Sequence, residues 1–421
     1  MSIKAERAYQ DALKVLSILE ESGFQAKLAG GCVRDRCMGL TPRDYDIATD
    51  ALPDQVCTLF KQKNLKVVPT GIDHGTVTVV MKTGPVEVTT LRRDLETDGR
   101  HAVVAFGSSF EEDAARRDFT INAMFEDAAG RIEDFHGGRQ HIADRQLIFV
   151  GDPLTRIRED YLRILRYFRF MARFGFSGAG EGAGAIRAGA SGLDGVSQER
   201  ITSEILQLLG SPAPLAALEL MEDTGVLPVI AGTARLTENA RRLAGPLPLK
   251  DQGAALCRLA ALAPPDTDPE GARQLAAGLR LSNQESRLLG LLLLRPEQTT
   301  APGPAAADYM GRFDDWEKAG GKGVIADLLL PAWHCLYPEA GPALNQLEKT
   351  LISTGPLRTR PLPVSGRDLK KAGLVGEGPE MGRLLARLKE EFRNGRFSSR
   401  EEAMARARLL AETSKNPEES G

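Results

Sequence analysis

The sequence predicts an α+β fold, with a small mixed sheet in the N-terminal part and helices throughout the remainder. Three observations carry this expectation. β-branched runs punctuated by glycine are confined to residues before about 145. From Asp152 onward the apolar residues recur at helical spacing instead. A chain of 421 residues is also too long for one small core, so about two to four domains are expected.

Ala8, Ala12, Val15, Leu16 and Leu19 predict a helix over 5–22, with Gly23 as its stop. Ala26 to Ala29 reads as a strand, Gly30-Gly31 as a turn, and a short helical stretch ends near Gly39. Thr41-Pro42 turns the chain again, and a second strand carries Asp44 and Asp46. Further strands are expected at Lys66–Val68, Thr76–Lys82 and Val86–Leu91, separated by Gly71 and Gly84-Pro85. Arg93 to Phe106 is polar with one glycine and reads as a mobile loop. Asp152-Pro153 is a helix start, and Ile157, Tyr161, Leu165, Phe168 and Ala172 form the apolar stripe that follows.

Residues 177–192 are glycine-rich and read either as a linker or as a glycine-loosened helix and loop. Helical patterns resume at Ser197–Leu209 and Leu215–Asp223. Residues 245–350 are Ala/Leu-rich with prolines, a helical bundle in which 299–307 is an exposed loop. Ser414 to Gly421 is expected to fray. The resulting segments are 1–145, 146–210, 211–350 and 351–421.

Composition bounds the function classes. With 42% hydrophobic and 26% charged residues the chain is an ordinary globular one. A net charge of −3 argues against indiscriminate coating of nucleic acid but leaves room for a local basic face. No apolar run would span a bilayer, and Met1 to Arg7 lacks the core of a signal peptide, so no membrane partner is expected. Cys32, Cys37, Cys57, Cys257 and Cys335 are scattered without Cys-x-x-Cys spacing, which fits a reducing cytoplasm without disulfides or zinc. His136 and His141 are the nearest histidine pair and read as surface residues.

The most informative stretch is Gly30-Gly31-Cys32-Val33-Arg34-Asp35 followed by Asp44-Tyr45-Asp46. Paired glycines opening a helix let the backbone approach a triphosphate. Carboxylates at i and i+2 of a strand share one face. Such a face suits Mg²⁺, which takes hard oxygen ligands and keeps room for substrate phosphates. Together they imply nucleotidyl transfer from an NTP to a hydroxyl with two-metal assistance, Asp44 and Asp46 being the candidate metal ligands.

In Arg116-Arg117-Asp118-Phe119-Thr120-Ile121-Asn122-Ala123-Met124, an arginine fork such as Arg117 can clamp phosphate oxygens. Asp118 can accept from a ribose hydroxyl. In Glu159-Asp160-Tyr161-Leu162-Arg163, Asp160 and Arg163 are i, i+3 neighbours on a helix, for which an intrahelical salt bridge is the simplest role. Arg166 and Arg169 continue at spacing three and wrap round that helix, Arg169 toward phosphate or RNA.

These motifs, in this order, resemble the class II nucleotidyltransferases, the bacterial CCA-adding tRNA nucleotidyltransferases and the related bacterial poly(A) polymerases. The matches are Gly-Gly-x-Val-Arg-Asp with Asp-x-Asp, then Arg-Arg-Asp-x-x-x-Asn-Ala, then Glu-Asp-x-x-Arg. The resemblance is strong over 24–210 and weaker over 360–410. It implies a polymerase-β-like nucleotidyltransferase head at 1–145, a base-selecting neck at 146–210, a body at 211–350 and a tRNA-binding tail at 351–421. The implied reaction adds CMP and AMP from CTP and ATP to the 3′ end of tRNA, without a template, and releases pyrophosphate.

By the same resemblance Gly30, Gly31, Arg34, Arg117 and Asp118 bind phosphates and ribose, and Arg166 and Arg169 complete the nucleotide site. Glu87, on a neighbouring strand, is the candidate third carboxylate. Asp160 would accept from an exocyclic amine and Arg163 donate to a ring nitrogen or carbonyl. C and A share that edge pattern, whereas U and G invert it. The 93–106 segment resembles a loop needed for the final A, which favours full CCA addition over addition of C alone.

Asp134 to Gly138 resembles a hinge, Val196 to Ile201 a neck helix, and Gly366 to Leu369 with Gly376 to Gly382 a tail. Lys370, Lys371, Arg383, Arg387 and Lys389 are the basic candidates there. The rivals are a poly(A) polymerase, whose extra basic segment is not seen before helix 5–22, and an A-adding enzyme acting on CC-ended tRNA. From another class comes a non-catalytic RNA-binding protein on the same scaffold. No His-Asp dyad points to an appended phosphohydrolase, and residues 225–355 carry no usable motif.

Overall fold

The computed structural model describes residues 3–293, 329–345 and 362–415, apart from 73–74, 98–101, 108, 179, 233, 250, 265, 343, 377, 394–395 and 398. Helix α1 (Ile3–Glu21) buries Ala12, Val15, Leu16 and Leu19 along one stripe and stops where Gly23 takes φ +87°. The chain then runs through β1 (Ala26–Ala29), α2 (Gly31–Cys37), β2 (Asp46–Thr49) and α3 (Pro53–Gln62). Next come β3 (Lys66–Gly71), β4 (Thr76–Val80), β5 (Pro85–Thr90), β6 (Arg92–Thr97), β7 (Ala102–Phe106) and α4 (Phe110–Ala115). A 3-10 turn, Thr120–Asn122, leads into β8 (Met124–Glu126) and β9 (Ile132–Asp134).

Seven strands form one sheet in the order β3-β4-β5-β2-β1-β8-β9. Only the β2–β5 pair is parallel, so the sheet is mixed. The alternation of strand side chains divides its two faces. Leu28, Ile47, Val77, Val79 and Val88 pack with the α1 stripe and with Val56 and Phe60 of α3. Ala29, Ala48, Leu91 and Phe125 pack with Phe110 and Ala114 on the opposite side.

The structure corrects several expectations. Asp44 lies on the bend before β2, and only Asp46 stands on the strand. Residues 93–106 include a paired β6–β7 ribbon, Arg92 opposite Phe106, in place of an irregular loop. The helix expected from Asp152 begins as predicted, with the Asp152 carboxylate accepting from Thr155 N at 2.8 Å, but it breaks in two. After α5 (Gly138–Ala143) and β10 (Gln146–Leu147) come α6 (Pro153–Glu159) and α7 (Leu162–Phe174). Asp160 sits between them in extended backbone (φ −154°, ψ 104°), its carboxylate accepting from Leu162 N. Such local capping competes with helix continuation.

The glycine-rich stretch is ordered, as β11 (Ser177–Gly178), α8 (Gly180–Gly189) and a 3-10 segment, Ala190–Gly195. Its glycines allow close approach to α6 and α7. A Cβ on Gly189 would come 2.6 Å from the Ile157 side chain, and one on Gly178 would come 2.6 Å from the Tyr167 hydroxyl. A Cβ on Gly192 would overlap the Tyr161 ring, whereas one on Gly195 would meet nothing. Gly192→Ala should therefore cost about 1–3 kcal/mol through overpacking, with Gly195→Ala near neutral, as read by thermal melting. Equal melting temperatures for the two variants would contradict this packing role.

Helices α9 (Gln198–Leu209) and α10 (Leu215–Asp223) follow. The described chain forms two compact units. The first holds residues 1–246 with 261–265 and 274–281, and contains everything described so far. The second holds 247–260, 266–273 and 282–421. In the second unit Gly366–Lys371, Pro379–Arg393 and Arg400–Lys415 pack through Leu369, Leu384, Leu388, Phe392, Ala403 and Leu410. Lys370, Lys371, Arg383, Arg387 and Lys389 are all exposed there. The expected loop at 299–307 and the last residues, 416–421, lie outside the described residues; residues 414 and 415 belong to the final helix.

Candidate active site

Parallel pairing places Asp46 of β2 directly opposite Glu87 of β5. Like charges facing each other across strands destabilise a sheet, so the pair needs a reason. Burial, with Asp44 and Glu87 beside it, pushes the Asp46 carboxyl up to about 7. Among the described residues no hydrogen bond or ion pair satisfies the carboxylates of Asp44, Asp46 or Glu87. Unpaired, mutually repelling oxygens suit a hard divalent cation. No three metal-ligating side chains among the described residues surround one point. The carboxylates thus offer an incomplete shell, of the kind that water and phosphate complete around a hard divalent cation.

A cleft of about 510 Å³ opens over this pair. Gly30, Gly31, Arg34, Arg117, Asp118, Asp160, Arg163 and Arg166 all line it. Asp44 and Arg169 do not line it. The Arg-Arg-Asp segment reaches the glycine turn because β8 pairs with β1, which also lets Gly30 N donate to Met124 O at 3.0 Å. Buried Asp113 holds both arginines. Its Oδ1 accepts from Arg116 at 2.6 and 2.9 Å, and its Oδ2 accepts from Arg117 at 2.9 and 3.1 Å. Burial raises the Asp113 carboxyl, yet Arg117 and Arg116 outweigh it and hold it below the usual carboxylate range.

Arg117 also donates to Asn122 O at 3.0 Å and lies over the Phe125 ring. Gly30 has φ +71° and ψ −118°, a conformation that L side chains avoid. A Cβ there would come 2.6 Å from Arg117 Nη1. Gly30→Ala should therefore displace Arg117 and lower kcat/KM for nucleotide about 10²-fold, and single-turnover kinetics would read this. Wild-type kinetics in that variant would remove the geometric role of the turn.

Arg34 is buried. It donates to Asp35 at 2.6 and 2.8 Å and to Asn122 Oδ1 at 2.6 Å, and lies over Phe170 and Phe174. Asp118 accepts from Phe119 N, from Asn122 Nδ2 and twice from Arg166, at 2.6–3.0 Å. Burial pushes its carboxyl up, but Arg166, Asn122 and the Phe119 amide hold it low.

Asp160 and Arg163 do not pair with each other. Asp160 Oδ2 accepts from Arg200 at 2.8 Å. Arg163 donates to Glu159 at 2.5 Å and to the carbonyls of Arg156 and Arg116 at 2.8 and 3.1 Å. Arg169 bonds Glu204 at 2.6 Å.

Sequence reasoning did not single out Asp113, Arg92, Phe170 or Arg200, all of which line the cleft. Asp113 stands three and four residues before the arginine pair on a helix, a spacing that could have marked it. Arg200 carries no such signal, because it reaches Asp160 across 40 residues of chain.

Residues 26–148 match the family described as the poly A polymerase head domain. Residues 175–231 match the one described as the probable RNA and SrmB-binding site of polymerase A. The chain is 33% identical over 404 residues to the CCA tRNA nucleotidyltransferase 1, mitochondrial, of Danio rerio, covering 93% of this chain and 89% of that protein. The chain belongs to the family of CCA-adding nucleotidyltransferases and poly(A) polymerases.

As a nucleotidyltransferase of this family it is also 42% identical over 238 residues to the CCA-adding enzyme of Geobacillus thermodenitrificans, over 56% of this chain and 58% of that enzyme. The crystal structure of the Bacillus stearothermophilus CCA-adding enzyme in complex with CTP shares its fold, with a TM-score of 0.74 and 30% identity. That match covers 98% of this chain and 100% of the other. Nucleotidyltransferases of this family use divalent metal ions, which the unpaired carboxylates at β2 and β5 fit. No helix among the described residues is long and apolar enough to cross a membrane.

Proposed function

We propose that this chain builds and repairs the CCA end of tRNA, adding CMP and AMP from CTP and ATP without a template and releasing pyrophosphate. The observation that carries the reading is the single cleft that joins Asp46 and Glu87, the arginines held by Asp113, and the Asp160–Arg163 pair. Asp44 and Asp46 hold Mg²⁺, with Glu87 as the third carboxylate. Bound there, Mg²⁺ would neutralise triphosphate charge and lower the pKa of the attacking 3′-hydroxyl.

Gly30 and Gly31 keep the turn low enough for a triphosphate, and Arg117 and Arg34 face its oxygens. Asp118, with its oxygens already occupied, acts on the nucleotide through Arg166. Arg169 contributes through Glu204 and the Phe170 ring it covers. Asp160 and Arg163 read the base edge shared by C and A. The head at 1–145 carries the chemistry, the neck at 146–210 selects the base, the body at 211–350 connects, and the exposed basic residues of the 351–421 tail grip tRNA. The five free cysteines fit a reducing compartment such as the cytoplasm.

The test uses purified protein, Mg²⁺ and tRNA transcripts ending before CCA, after C and after CC, each with CTP, ATP or both. Extension that stops at CCA is the expected result. Long A ladders would reassign the chain to poly(A) synthesis, and extension of the CC-ended transcript alone would make it an A-adding enzyme. RNA binding without Mg²⁺-dependent turnover would leave a non-catalytic binder.

A further inference from the structure

We propose that Arg200, on α9, is a positioning residue for nucleotide selection, because it holds Asp160 apart from Arg163. This rests on the reading of Asp160 and Arg163 as the base-reading pair. Two opposite charges three residues apart normally close on each other. Here each is claimed by a different partner. Asp160 Oδ1 accepts from Leu162 N at 3.1 Å, and its Oδ2 accepts from Arg200 Nη2 at 2.8 Å. Arg163 is drawn away by Glu159 and by the carbonyls of Arg156 and Arg116.

The extended backbone at Asp160 makes the separation possible, since it takes the carboxylate off the helical path that would set it beside Arg163. Asp160, Arg163 and Arg200 all line the same cleft.

The consequence is chemical. A carboxylate bonded to Arg163 would spend its acceptor on an internal pair and leave no edge for an exocyclic amine. A carboxylate fixed by Arg200 keeps acceptor capacity, because each carboxylate oxygen has two lone pairs and accepts one bond here. Arg200 would thereby hold the pair in a geometry that rewards C and A and leaves U and G with unpaired polar groups. Arg200 is half-exposed, so its removal opens no cavity in the core.

The experiment measures kcat/KM for CTP, ATP, UTP and GTP, each alone, on CCA-less and CC-ended transcripts. It compares wild type, Arg200→Gln, Arg200→Lys, Asp160→Asn and the Asp160→Asn/Arg200→Gln double variant. For Arg200→Gln the expected result is a ratio of CTP and ATP over UTP and GTP that falls at least about 10-fold, with partial recovery in Arg200→Lys. In the Asp160→Asn background the second substitution should add almost nothing, the non-additivity of residues acting as a unit.

A uniform loss with all four nucleotides, or additive effects in the double variant, would make Arg200 merely structural and overturn the proposal. If Arg200→Gln does not fold, Arg200→Met, which keeps the stem without the charge, replaces it, and unchanged selectivity there overturns the proposal equally. Wild-type protein that incorporates neither CMP nor AMP would remove the underlying function and the proposal with it. Active, selective wild type with an unchanged Arg200→Gln ratio removes the proposal alone.

Discussion

Asp46→Asn should abolish CMP and AMP incorporation while making the metal-free protein more stable. The carboxylate is half-buried beside Asp44 and opposite Glu87, and its repulsion is relieved only when a cation or a proton arrives. Removing one of the two proposed metal ligands should lower turnover at least about 10³-fold, some 4 kcal/mol of barrier.

The stability effect has a definite sign. Folded Asp46 titrates near 7 against an ordinary value of 3.8, so the folded state binds the extra proton between those limits. Stability of the wild type therefore falls as pH rises from about 4 to about 7 and stays reduced above that. The asparagine variant should match wild type near pH 4 and exceed it at pH 8, by up to about 4 kcal/mol. Added Mg²⁺ should stabilise the wild type and leave the variant unmoved. Thermal melts with EDTA and with Mg²⁺ across that range would show this. A variant less stable than wild type at pH 8 without metal would rule out the repulsive pair.

The second large effect concerns Asp113. Asp113→Asn should cost roughly 3 kcal/mol, because it leaves the partly buried Arg116 and Arg117 without their counter-charge. The linkage here is opposite to that of Asp46. The folded carboxyl lies below its ordinary value, so its stabilisation is complete at pH above the unfolded value and is lost as pH falls through the folded one. The gap between wild type and variant should then narrow on acidification. Activity should fall mainly through KM for nucleotide, since Arg117 loses the partner that aims it. Denaturant titrations at pH 7 and pH 3 give the stability difference, and a wider gap at pH 3 would contradict the assignment.

What was legible in the sequence was whatever is encoded locally. The α1 stripe, the Asp152 cap and the order of strands follow from spacing and turn chemistry. So does the gathering of Gly30, Arg117, Asp46 and Asp160, once three motifs are read as parts of one site. Three features were not legible because spacing and composition do not say which partner a group takes. Asp160 leaves the helix because Leu162 N and Arg200 claim its carboxylate. Residues 177–192 left a linker and a glycine-loosened helix and loop both open, because glycine serves flexibility and close packing equally well, and contacts with Tyr161, Tyr167 and Ile157 go with the second. The 93–106 segment is polar, yet β6 and β7 within it pair as a ribbon because they satisfy each other's backbone.

Helix α7 assigns successive turns to different tasks. Arg163 lines the cleft, Arg166 holds Asp118, Phe170 lies under Arg34, and Arg173 reaches Asp35 at 3.0 Å. These positions share one register. A one-residue insertion after Asp160 would turn everything beyond it by about 100°, and would release the glycine-motif arginine and the Arg-Arg-Asp aspartate together. Evolution can therefore exchange side chains along this helix far more easily than it can change the helix's length, so a shift in nucleotide preference among relatives should appear as substitutions around positions 160 and 163 within an α7 of constant span.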